Sequence, residues 1–143
     1  MVGLCELIHS VDSLPLLREI SQTAEKRGVV QDILLEINIG EEASKSGFSP
    51  DELEKTLVCA AGLPAIRVRG LMAIPPICEK PEENRPFFLK MQKLFVDNCE
   101  KKYDNIAMDF LSMGMSGDYP EAIRCGANLV RIGTGIFGPR NHP

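Results

Sequence analysis

An α/β fold built on a parallel sheet is the class this sequence predicts, and three observations predict it. Five short apolar runs, Glu6–Val11, Asp32–Ile39, Ile66–Ile74, Met108–Met113 and Asn128–Ile132, alternate with four segments of helical period. The loops between them are short, which implies parallel strands joined by right-handed crossovers. The second run, DILLEINI, is almost continuously apolar, as a strand covered on both faces should be. A doubly wound sheet and a slice of a (β/α)₈ barrel both fit. Either one puts function beyond the C-terminal ends of the strands, which here carry Asn38, Met72-Ala73, Ser112–Ser116 and Arg131–Thr134.

Each element has a local reason. After Glu6–Val11, Asp12 or Ser13 caps a helix with Pro15 in its first turn. Leu14, Leu17, Ile20 and Ala24 form its apolar stripe, and Gly28 ends it. The polar loop GEEASKSGF follows the second strand. Ser49-Pro50-Asp51-Glu52 is the strongest helix start in the chain: Ser49 caps, Pro50 suits the first helical position, and Glu52 completes a capping box. Leu53, Leu57 and Ala60 face inward, with Gly62 as the stop. Pro75-Pro76 ends the third strand and opens an exposed, proline-bearing loop that reaches Glu83. Phe88, Met91, Leu94 and Phe95 mark an amphipathic helix to about Lys102, with a basic end that suits its dipole. Asp118 caps a short helix with Glu121 three residues on, and Gly126 closes it before the fifth strand.

Composition narrows the function classes. With 143 residues the chain fits one domain, residues 1–143, and its 44% hydrophobic and 25% charged content is that of a soluble globular protein. A formal charge of −4 argues against a general nucleic-acid surface. Cys5, Cys59, Cys78, Cys99 and Cys125 are scattered and form no CxxC pair, which suits reduced thiols. His9 and His142 are too few for a histidine metal cluster. No apolar run approaches the roughly 18–20 residues of a membrane span. The start, MVGLCELIHS, lacks a signal-peptide pattern, so the expected location is the cytoplasm.

The chemistry gathers in the last third. Gly114-Met115-Ser116-Gly117-Asp118 is too rich in turn formers to continue a strand, and Gly133-Thr134-Gly135 lies just past the fifth one. Two such turns at one end of a sheet offer free N–H groups and the hydroxyls of Ser116 and Thr134, an arrangement suited to phosphate or sulfate. Arg131 stands in an apolar strand, where it needs a partner. That partner is either a strand-borne carboxylate, Glu36 or Asp109, or a ligand. Lys45 is read either as a solvated loop lysine or as an anion contact near the mouth of the site. His9, in an apolar strand, is read as a core histidine. There is no P-loop, Ser/His/Asp set or paired-carboxylate site.

LSMGMSGD (Leu111–Asp118) with VRIGTGIFGPR (Val130–Arg140) resembles the signature of the pyridoxal 5′-phosphate (PLP) homeostasis proteins, also called proline synthase co-transcribed homologues. IHSVDS (Ile8–Ser13), INIGEEASKSGF (Ile37–Phe48) and RGLMAIPP (Arg69–Pro76) agree, so the resemblance runs the whole length. It implies the fold-type III PLP barrel, a (β/α)₈ barrel like that of alanine racemase. It also implies that Ser116, Gly133 and Thr134 hold the cofactor phosphate and that Arg131 faces the pyridine nitrogen. Ser112, Met113 and Asn38 would line the pocket, and Lys45 sits at the family's KxG position. The implied role is a non-catalytic carrier in vitamin B6 homeostasis.

The departures from that family are as informative. Its Schiff-base lysine strand, Glu-Asn-Tyr motif and His-Phe-Ile-Gly motif have no counterpart in this sequence. The expectation is therefore the last five strands of an eight-stranded barrel, without the covalent lysine and with open sheet edges that invite self-association. An amino-acid racemase or decarboxylase of the same fold, and a fragment with a vestigial site, remain the alternatives. The racemase reading requires a second base, and Tyr103 and Tyr119 lie in or beside helices instead.

Overall fold

The strands form because apolar and β-branched residues recur at the two-residue period that turns them to a covered face. In the computed structural model, which describes residues 1–139, they are β1 (Leu7–Val11), β2 (Gln31–Glu36), β3 (Ile66–Met72), β4 (Ile106–Met115) and β5 (Leu129–Arg131). They make one parallel sheet in the order β1-β2-β3-β4-β5. A doubly wound sheet reverses direction at a switch point, and this one does not, so the barrel alternative holds. The sheet also curls. A side chain on β1, His9, reaches Ser112 on β4 although two strands lie between them.

The helices are α1 (Leu14–Arg27), α2 (Leu53–Ala61), α3 (Arg85–Cys99), α4 (Tyr119–Arg124) and a short α5 (Thr134–Phe137). One apolar cluster joins Leu17 and Ile20 of α1, Leu57 of α2 and Phe88 of α3 to Ile33, Val68 and Leu111 of the sheet. Each such large side chain contributes about 1.5–3 kcal/mol on burial, so this layer holds the helices to one face. On the other face Leu34 and Met72 are buried outside that cluster. Beside them runs an ion-pair ladder. Asp32 accepts from Arg67 Nε at 2.7 Å and from Arg69 Nη1 at 2.6 Å, and Arg69 Nε reaches Asp109 at 2.6 Å. Asp109 is thus spent on Arg69 and does not partner Arg131.

Several boundaries differ from the sequence expectation, each for a local reason. The second strand stops at Glu36, because Ile37 and Asn38 turn to pair with Phe48 of the following loop. The Glu52 carboxylate accepts the Ser49 N–H at 2.9 Å, and a single 3₁₀ turn, Pro50–Glu52, precedes α2. The third strand ends at Met72. The amphipathic helix stops at Cys99 with no basic residue in its last turn, and Lys101 instead reaches Glu54 at 3.1 Å. The glycine-rich turn after β4 begins later than expected, since β4 includes Gly114 and Met115, the latter paired with Arg131. Gly114 has φ +91°, and a Cβ there would lie 2.6 Å from the Cβ of Ala122. Only glycine lets α4 approach so closely. Gly70 is equally constrained, since a Cβ would sit 1.9 Å from the Phe110 carbonyl oxygen where β3 and β4 shift register.

Candidate functional site

The site is built at the C-terminal ends of β4 and β5. After Met115 the chain turns through Asp118, whose side chain was expected to cap α4. It makes no such cap. Asp118 Oδ1 accepts the Met115 N–H at 2.8 Å and Oδ2 accepts from Asn84 Nδ2 at 2.9 Å, so the carboxylate fixes the turn that carries Ser116. Asn84, buried at the head of α3, ties the 75–83 loop to that turn.

Ser116 then meets the second turn. Its Oγ accepts the Gly133 N–H at 3.2 Å and the Gly135 N–H at 3.1 Å. Two backbone donors from one loop therefore converge on one oxygen at the solvent boundary. Thr134, between the two donors, opens on the same cavity of about 660 Å³, together with Arg131, Ser116 and Phe137. Arg140, the last residue of the closing motif, and His142 lie outside the described residues.

Arg131 is the charged group of this cavity. Its Nη1 donates to Ser112 Oγ at 2.5 Å and its Nη2 to the Ala73 carbonyl at 3.0 Å. Among the described residues no carboxylate lies within ion-pair distance of it. Glu36 acts on it only from farther away. Burial lowers the pKa of Arg131, with Glu36 and Asp118 opposing that shift. The guanidinium nonetheless stays charged at neutral pH, with N–H groups to spare. Burial raises the pKa of Glu36, Asp12 adds to this, and Arg131 opposes it.

The remaining candidates divide. Ser112 is fully enclosed beside Arg131 and His9. Met113, next along the strand, points the other way into the apolar core and does not line the cavity, as strand alternation requires. Asn38 and Lys45 belong to a separate loop. Asn38 Nδ2 donates to the Glu42 carbonyl at 2.8 Å, while Lys45 Nζ sits 2.6 Å from Glu42 Oε2 and 3.3 Å from the Pro75 carbonyl. No contact joins either of them to the two turns among the described residues. His9, read from the sequence as a core histidine, is half-buried, with Nδ1 at 3.2 Å from Ser112 Oγ. Gly135 is a donor that sequence reasoning missed, although the repeated glycine of GTG was its signal. Asn84 had no signal in the sequence.

A curled parallel sheet in sequential strand order, with donor-rich turns at its C-terminal end, is a segment of a (β/α) barrel at the face where such barrels place their sites. The profile of the alanine racemase N-terminal domain family matches residues 3–141, and the chain belongs to that family. It is 44% identical over 142 residues to the pyridoxal phosphate homeostasis protein of Aquifex aeolicus, covering 99% of this chain and 61% of that one. Among solved structures it is similar to PipY of Synechococcus elongatus PCC7942 without PLP, with a TM-score of 0.86 and 30% identity over 96% of this chain and 63% of that one. The structure of PipY with PLP bound gives 0.82 and 29% over the same shares. The chain spans about three fifths of the length of these relatives. No helix among the described residues is long and apolar enough to cross a membrane.

Proposed function

We propose that this chain binds PLP as a carrier in vitamin B6 homeostasis, and that it provides the phosphate and ring-nitrogen side of the pocket. The observation that carries the reading is the convergence of the Gly133 and Gly135 N–H groups on one oxygen, beside a guanidinium that has no carboxylate partner among the described residues. A phosphate oxygen is a stronger acceptor than the Ser116 hydroxyl now in that position. With the phosphate there, Ser116 and Thr134 are free to donate to it as well. Arg131 then donates to the ring nitrogen and leaves it unprotonated.

PLP, when bound, supplies an electrophilic aldehyde and an electron-withdrawing ring. A ring nitrogen facing a guanidinium withdraws electrons less strongly than one protonated by a carboxylate, which suits holding the molecule more than turning it over. The lysines among the described residues, Lys26, Lys45, Lys55, Lys80, Lys90, Lys93, Lys101 and Lys102, all lie outside the strands. The covalent anchor and the rest of the pocket would therefore belong to strands that this sequence does not contain. Relatives longer than this chain support that reading.

A titration of the purified chain with PLP, with Arg131→Ala as control, tests the proposal. Saturable binding that Arg131→Ala weakens at least tenfold is expected, since a hydrogen bond to a charged group is worth about 1.5–3 kcal/mol. Borohydride reduction of the PLP-equilibrated chain should leave no stoichiometric pyridoxyl-lysine. Equal binding by the variant, or a pyridoxyl group on Lys45, would overturn the site assignment.

A further inference from the structure

Among the described residues the Ser112 hydroxyl has one proton and two side-chain neighbours, and this sets the direction of a relay. Arg131 Nη1 can only donate, so Ser112 Oγ accepts from it. The Ser112 proton then needs an acceptor, because Ser112 is fully enclosed and a buried hydroxyl left unsatisfied is costly. The acceptor in reach among the described residues is His9 Nδ1 at 3.2 Å. His9 must present a lone pair there, which fixes it as the neutral tautomer with its proton on Nε2. Burial and the positive charge of Arg131 both favour that neutral form. The relay runs one way, Arg131 to Ser112 to His9, and joins β5, β4 and β1 across the face turned away from the helices.

We propose that Ser112 and His9 are positioning residues for the ligand contact made by Arg131. The pair takes one guanidinium N–H and the Ala73 carbonyl takes another. Held at both Nη atoms, the planar fork is fixed in orientation, and Arg131 lines the cavity with N–H groups to spare. This rests on the reading of Arg131 as a PLP contact and adds the residues that aim it.

The test has a ligand-free arm and a binding arm. In the 143-residue chain carrying His142→Gln, His9 is the single imidazole, and proton–nitrogen NMR reads its tautomer directly. The expected spectrum has an unprotonated Nδ1 at neutral pH, and a proton on Nδ1 overturns the relay. In the binding arm, His9→Leu weakens PLP binding about tenfold, the size of one well-placed hydrogen bond. His9→Asn, whose amide oxygen can take the Ser112 proton, recovers most of the affinity. Ser112→Ala combined with His9→Leu loses little more than either alone, because the two act as a unit. Inorganic phosphate, which needs only the Ser116–Gly135 side, competes with unchanged affinity in every variant. If His9→Leu binds PLP like the parent chain, or loses phosphate in step with PLP, the positioning role is wrong. Equal PLP binding by the parent chain and Arg131→Ala would instead sink the underlying PLP assignment and the positioning role with it, whatever the tautomer.

Discussion

Ser116→Ala separates what this serine does for the fold from what it does for a ligand. The Ser116 oxygen accepts from Gly133 and Gly135 at 3.2 and 3.1 Å, but both donors are exposed. Water replaces the lost oxygen, so the stability change should stay below about 1 kcal/mol. For a chain of 143 residues that is a fall in Tm of under about 4 °C. With a phosphate in the turns the same hydroxyl becomes a donor to an anion, worth about 1.5–3 kcal/mol. The affinity for PLP should therefore drop roughly tenfold to a hundredfold at about 1.4 kcal/mol per decade. Thermal unfolding followed by circular dichroism and equilibrium dialysis with PLP measure the two quantities on one preparation. A Tm loss above about 10 °C, or an affinity equal to that of the parent chain, would refute the reasoning, the first by making Ser116 structural and the second by removing it from the phosphate position.

Three further outcomes can be measured. Asp118→Ala removes the acceptor for the Met115 N–H and leaves the buried Asn84 amide unpaired, so urea unfolding should show a loss of about 1–3 kcal/mol. Gly114→Ala adds a Cβ 2.6 Å from that of Ala122 at φ +91°, and the combined strain and overlap should cost more than about 2 kcal/mol in the same assay. The contribution of His9 to the pH dependence of stability has a definite sign. Burial, then Arg131, hold its pKa in the folded chain below the ordinary 6.5. Between those values the unfolded chain binds more protons, so stability rises with pH through that window and is fully present above 6.5. Glu36, raised by burial, works in the opposite sense, with a contribution present below 4.5 and lost as pH climbs through its folded value. His9→Asn should flatten the slope just below pH 6.5, and an unchanged slope would mean that His9 does not titrate differently on folding.

The parts of this chain that were legible in its sequence are those fixed by neighbours along the chain. Leu17, Ile20 and Ala24 recur at helical spacing, Pro50 and Glu52 sit at fixed offsets from Ser49, and both glycine turns lie directly after their strands. What escaped depends on residues far apart in sequence. Asp118 looks like a helix cap until Asn84, 34 residues earlier, is seen to hold its other oxygen. Asp109 looks like a partner for Arg131 until Arg69 claims it. His9 sits among apolar residues and reads as core, yet it reaches Ser112 103 residues later because the sheet curls. Ser112 and Met113 were both expected to line the pocket, although adjacent strand residues face opposite sides and only one of them can do so.

The strand order carries a consequence for how the chain comes together. Each strand pairs with the one made just before it, so every β–α–β unit can dock onto its predecessor as the chain lengthens. Among the described strands, β2 to β5 each find a pairing partner already made. The donors that meet Ser116 come 17 and 19 residues after it, beyond the last strand. A ribosome would thus release these five strands before the anion cradle at their ends exists, and the Ser116 contacts would form only when Gly135 has emerged.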